Sequence, residues 1–102
     1  MKLRAYLVDD EPLALRRMKR LLERTGRVEI TGSTTNPEEA ILAMTSNIPD
    51  ICFLDIQMPQ LNGFEVLEHL PMQPMIIFTT AYDQYALKDE NNKKVKKLAL
   101  NK

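Results

Sequence analysis

Cysteine, histidine and long apolar runs are all scarce in this 102-residue sequence, and each scarcity closes off a class of function. The one cysteine, Cys52, has no partner for an internal disulfide and sits inside an apolar run, which points to a reduced compartment and a packing role rather than catalysis. The longest apolar runs, "ICFL" and "MIIF", are strand-length, so nothing reads as a membrane span. "MKLRAYLVDD" has no secretory apolar segment ahead of its acids, and the cytoplasm is the expected address, with no membrane partner. No aromatic residue follows Tyr85, so the lysine-rich end has nothing to stack on bases. It reads as a solvated helix face or frayed tail, and no direct nucleic-acid binding is expected of this chain.

What is present is an ordinary globular composition, 44% hydrophobic, for one domain. The net charge of zero hides an asymmetry: residues 1–87 carry eight Lys/Arg against twelve Asp/Glu, and residues 88–102 carry six Lys against two acids. The body therefore stands at −4 and the tail at +4.

Along the body, strand and helix signals alternate. "LRAYLV" (Leu3 to Val8) is a short strand, followed by Asp9, Asp10, Glu11 and Pro12, acids and a proline that suit the start of a helix. Leu15, Met18 and Leu22 then recur at helical spacing opposite Arg16, Arg17, Lys19 and Arg20, and Gly26 supplies the stop. "VEITGS" alternates as an edge strand would. Asn36, Pro37 and Glu39 form an N-cap, a first helical position and a capping box for the second helix. "ICFLD" is the third strand, "FEVLEHL" a short third helix after the Pro59/Gly63 loop, and "MIIFTT" the fourth strand. This order implies βαβ crossovers and a parallel sheet covered on both faces.

In such a sheet every strand points the same way, so residues just past the strands gather along one edge, where open α/β sheets bind ligands. Asp9 and Asp10 end the first strand, Asp55 the third, Thr79 and Thr80 the fourth. Clustered carboxylates need a cation, and oxygen ligands without His or Cys suit Mg²⁺. A metal beside a free carboxylate oxygen suggests phosphoryl transfer, with Asp55 as nucleophile and a strand-end Thr hydroxyl donating to a phosphoryl oxygen. The competing reading for Asp9 or Asp10 taken singly is a helix cap. His69, the only histidine, falls beside Glu68 and Leu70 away from the strand ends and reads as a surface or packing residue.

Three separated stretches, "YLVDDEP", "ICFLDIQMPQLNGFEVL" and "MIIFTTAYDQYALK", closely resemble the receiver domain of bacterial two-component response regulators. "FTTAYDQYALK" is similar to the subclass that precedes LytTR-type DNA-binding domains. The resemblance covers residues 3–88 and implies a three-layer flavodoxin-like (CheY-like) fold. It implies that Asp55 is the phosphoacceptor of a sensor histidine kinase, and that Asp9, Asp10, Asp55 and the backbone carbonyl of Gln57 hold Mg²⁺. Thr80 would be the hydroxyl that senses the phosphoryl group. Such a protein relays a signal by conformational change and is not an enzyme, beyond self-phosphorylation from small donors and self-dephosphorylation.

The resemblance divides the chain into a receiver core, 1–88, and a divergent lysine-rich tail, 89–102. In the tail the family's fifth strand, its aromatic switch residue, its lysine and its fifth helix have no clear counterpart. The expectation is a missing lysine, and the alternative is a degenerate fifth strand ending on Lys102. A sheet lacking those parts exposes an edge, so marginal stability, a homodimer by strand-edge pairing or swapping, or a truncated gene product is expected. Two rivals remain at this level. One is a non-phosphorylatable pseudo-receiver used for dimerisation or partner docking. The other is an aspartyl-phosphate hydrolase, against which stands Gln57 where such enzymes place a second acid.

Overall fold

In the computed structural model, residues 1–79 are described with their side chains, and Thr80 and Val95–Ala99 by their backbone. The strands are β1 (Leu3–Val8), β2 (Val28–Thr34), β3 (Ile51–Asp55), β4 (Met75–Thr80) and β5 (Val95–Ala99), and the helices are α1 (Pro12–Thr25), α2 (Pro37–Ser46) and α3 (Gly63–Glu68). The strands form one sheet in the order β2-β1-β3-β4-β5, every neighbouring pair parallel.

Alternation along the central strands divides the core into two layers. Tyr6, Val8, Cys52, Leu54, Ile76 and Phe78 pack with Ala40 and Met44 of α2 and Val66 and Leu67 of α3. Ala5, Leu7, Ile51, Phe53 and the half-buried Ile77 pack with Leu15, Met18 and Leu22 of α1. The sheet is thus the middle of three layers, and β3, buried at all five positions, is apolar on both faces from Ile51 to Leu54, as the centre of a parallel sheet must be. Among the described residues no helix is long and apolar enough to cross a membrane.

The helix boundaries follow from local chemistry. Gly26, at φ 68°, takes the left-handed conformation that ends α1, its N–H reaching the Glu23 carbonyl at 3.2 Å. The Asn36 side chain accepts from the N–H groups of Glu38 and Glu39 at 2.8 and 3.3 Å, as an N-cap should. The capping box expected there is not closed, because the Asn36 N–H donates to Thr34 Oγ1 at 3.0 Å. A complete box stands instead at α3, where Asn62 and Glu65 exchange bonds of 2.9 Å.

At the N-terminal end of the sheet, Arg4 and Asp50 clasp three strands. The Arg4 N–H donates to Asp50 Oδ2 at 2.7 Å, its guanidinium to Asn47 Oδ1 at 3.2 Å and the Ile48 carbonyl at 2.7 Å. The Asp50 N–H returns to the Arg4 carbonyl at 2.9 Å, and its carbonyl accepts from Met75 at 3.1 Å.

Of the two readings of the tail, the structure bears on the fifth strand. No clear fifth strand is legible in the lysine-rich tail, yet Val95–Ala99 pairs with β4 from Ile76↔Val95 to Thr80↔Ala99. The partner is the reason: β4 presents an open row of backbone donors and acceptors, and an edge position tolerates charged residues such as Lys96 and Lys97. The strand ends three residues before Lys102, which lies outside the described residues, as do Tyr82 and Tyr85, the rest of the 89–102 tail and any fifth helix.

Two tests follow from the packing. Cys52 is fully buried, and burial pushes its thiol up from its ordinary value, so it should resist a disulfide reagent in the native chain and titrate one equivalent in denaturant. Gly63 has no room for a side chain: a Cβ there would lie 2.8 Å from the Asp55 carbonyl oxygen and 3.1 Å from Ile56 Cα, both backbone. Gly63→Ala should lower stability by about 1–3 kcal/mol in urea titrations.

Candidate functional site

The pairing of β1 with β3 carries two acids to one edge. Val8 stands opposite Leu54, so Asp9 and Asp55, the next residues on their chains, come side by side at the C-terminal ends of the two strands. Both are buried, 0% and 3% exposed, whereas Asp10 is exposed.

The two buried carboxylates are fixed by matching local bonds. Asp9 Oδ1 accepts the Glu11 N–H at 2.9 Å, and Asp55 Oδ1 accepts the Gln57 N–H at 3.2 Å, each acid closing a turn on the residue two further along. Neither Asp9 nor Asp10 is the N-cap of α1. That position is Glu11, whose side chain makes no capping bond. The Asp9 N–H also extends the β1–β2 ladder by one bond, to the Thr34 carbonyl at 3.3 Å.

One oxygen from each of Asp9, Asp10 and Asp55 lies within 4.8 Å of the others. Three carboxylates at that spacing repel, and two of them have little water to screen them. The donor set is oxygen alone, with anionic charge to spare, so it fits a small hard divalent cation such as Mg²⁺, which favours a few carboxylates and keeps the rest of its shell for water and phosphate oxygens.

The loop after β3 keeps this edge open. Ile56 and Met58 are buried and anchor it, while Gln57, Pro59 and Gln60 face solvent. Gly63 turns the loop into α3 by donating its N–H to the Ile56 carbonyl at 2.9 Å, in close approach to the Asp55 backbone. Behind it, the rings of Phe64 and Phe78 pack at 4.8 Å.

On the neighbouring strand, Thr79 is the Cα partner of Asp55 and is fully buried. Thr80 closes β4, and its hydroxyl lies outside the described residues. His69 is the exposed C-cap of α3. Its Nδ1 sits 2.8 Å from the Glu65 carbonyl, which can only accept, so the proton is on Nδ1 and the ring serves its own helix. The groove lined by Glu38, Ile41, Leu42, Gln60, Leu61 and His69 contains none of the three acids.

What sequence reasoning overlooked here is small but specific. The closed turns at Asp9 and Asp55 and the Asn62/Glu65 box were both accessible, the latter as an Asn-x-x-Glu spacing.

Comparison with known proteins places the chain in a family. A family model described as the response regulator receiver domain matches residues 5–99. The sensory transduction protein LytT of Bacillus anthracis is 50% identical over 88 residues, covering 83% of this chain and 36% of that protein. This chain therefore spans about a third of that relative's length. A two-component response regulator from Cytophaga hutchinsonii superposes with a TM-score of 0.81 at 23% identity, covering 100% of this chain and 88% of that one. A CheX–CheY–BeF3–Mg²⁺ complex from Borrelia burgdorferi gives 0.78 at 19% identity, covering 97% of this chain and 80% of that one. With the family model spanning nearly all of the sequence and the acids meeting at one sheet edge, the chain belongs to the response regulator receiver domain family.

Proposed function

We propose that this chain is a phosphoacceptor: it takes a phosphoryl group on Asp55 from a sensor histidine kinase, with Mg²⁺ held by Asp9, Asp10, Asp55 and the backbone carbonyl of Gln57. The observation that carries the proposal is the convergence of three carboxylate oxygens within 4.8 Å at the end of β3. The Borrelia burgdorferi complex, which shares this fold and contains BeF3 and Mg²⁺, accords with the choice of ion and of group.

In this reading the chain's residues divide the work. Asp55 offers a carboxylate oxygen as nucleophile, oriented by the Gln57 N–H on Oδ1. A new O–P bond forms on that oxygen as the donor's P–N bond breaks, and the released imidazole takes up a proton. Asp9, tied to the Glu11 N–H, is held in place to bind the ion, and the exposed Asp10 completes the acidic face. When bound, Mg²⁺ supplies positive charge that neutralises the acids and the equatorial phosphoryl oxygens. The Thr80 hydroxyl is assigned to the phosphoryl group, and the product is a change of conformation rather than a released metabolite. A cytoplasmic address accords with a kinase partner of this type.

The direct test is labelling. Acetyl phosphate with Mg²⁺ should add one phosphoryl group per chain by intact mass spectrometry, and Asp55→Asn should abolish it; an adduct that survives the substitution refutes the assignment of Asp55. A second test addresses the ion. Asp9→Asn should weaken Mg²⁺ binding by about tenfold or more in calorimetric titration, ~1.4 kcal/mol, while leaving the chain folded.

A further inference from the structure

Thr79 carries a polar atom that folding alone does not explain. Among the described residues its Oγ1 is a buried side-chain oxygen with no hydrogen-bond partner, and the residue is 0% exposed, so solvent cannot satisfy it. A buried hydroxyl left in that state is a cost to the native fold, and valine would fill the same space without it. The position of the hydroxyl suggests what it is for. Thr79 and Asp55 are Cα partners on neighbouring parallel strands, about 4.8 Å apart, with both side chains on the face that carries Ile77 and Phe53. In the resting chain Asp55 Oδ1 is engaged by the Gln57 N–H, and Thr79 Oγ1 has no hydrogen-bond partner among the described residues.

We infer that Thr79 is a second phosphoryl-sensing hydroxyl, unpartnered at rest and donating to an oxygen of the group added to Asp55. The inference rests on Asp55 being the phosphoacceptor, and it deepens that reading by naming a residue that sets the balance between the two states. A phosphoryl group extends the Asp55 side chain by one more shell of oxygens. It brings an acceptor within hydrogen-bond distance of a neighbour that only has to turn about χ1. The bond exists in one state and not in the other, which is the condition for a group to shift a conformational equilibrium. Phosphorylation then relieves a penalty that the resting fold carries, and so favours the phosphorylated form. Thr79 also pairs through its backbone with Leu98, so the strand that registers the change is the one on which β5 is built.

The test uses the intact chain with beryllofluoride and Mg²⁺ as the phosphoryl mimic, comparing wild type with Thr79→Val, Thr79→Ala and Thr79→Ser by calorimetric titration and thermal melts. Thr79→Val should melt at or above wild type without ligand, because it removes an unsatisfied hydroxyl. Its beryllofluoride affinity, and that of Thr79→Ala, should fall about tenfold, which is ~1.4 kcal/mol. Thr79→Ser should stay within about twofold of wild type. Mg²⁺ affinity in the absence of beryllofluoride should be the same in all four, a separation that a packing role alone would not produce. Wild-type beryllofluoride affinity in Thr79→Val overturns the inference and leaves Asp55 in place as phosphoacceptor. A Thr79→Val chain that no longer folds overturns it as well, since the hydroxyl would then be satisfied at rest. A wild-type chain that ignores beryllofluoride overturns the phosphoacceptor reading and this inference together.

Discussion

Two carboxylates held side by side at the end of a sheet, with almost no water around them, are the interaction around which the rest of this molecule is arranged. Asp9 and Asp55 meet because β1 and β3 pair in a register that sets Val8 against Leu54. A slip of one residue would turn one acid to the opposite face of the sheet, so the register has to be pinned against the repulsion it creates. The two apolar layers do the pinning, since each residue of β1 and β3 that faces α1 or faces α2 and α3 loses its packing if the strand moves. The Arg4/Asp50 clasp does the same from the far end, tying the starts of β1, β3 and β4 together through main-chain and side-chain bonds.

The two ends of the sheet therefore differ in kind. At the start of the strands the polar groups of Arg4 and Asp50 find partners within the chain. At the finish, three acids crowd together and a threonine hydroxyl on the neighbouring strand has no partner among the described residues. Among the described residues the local cost gathers at this second edge, which is where strain at a functional site is expected.

Much of this was written in local sequence. Asn36 with Pro37, Gly26 after the apolar face of α1, and the five-residue run that ends on Asp55 each follow from short-range rules, and the parallel sheet from the alternation of elements. The convergence of Asp9, Asp10 and Asp55 needed only the statement that the strands are parallel. What was not legible depended on distant partners. Val95–Ala99 is a strand because β4 has an edge to offer, and its own lysines argue for a solvated tail. The Asn36 N–H went to Thr34 and not to Glu39, a choice set by how β2 enters the helix. That Thr79 is buried and without a partner among the described residues follows from the packing of its neighbours, and no pattern of residue types announces it.

The strand order also has a kinetic side. Asp9 and Asp55 sit on adjacent strands, but the chain between them must first complete α1, β2 and α2 and then return β3 to the centre of the sheet. Parallel neighbours are joined only by such crossovers, and the entropy of closing them is lost before the contacts are gained. A partly folded chain, even one with its first strand and helix in place, has no acidic site to offer. The acidic cluster thus exists only where β1 and β3 have paired, so the site is a product of the assembled sheet and of no smaller piece of the chain.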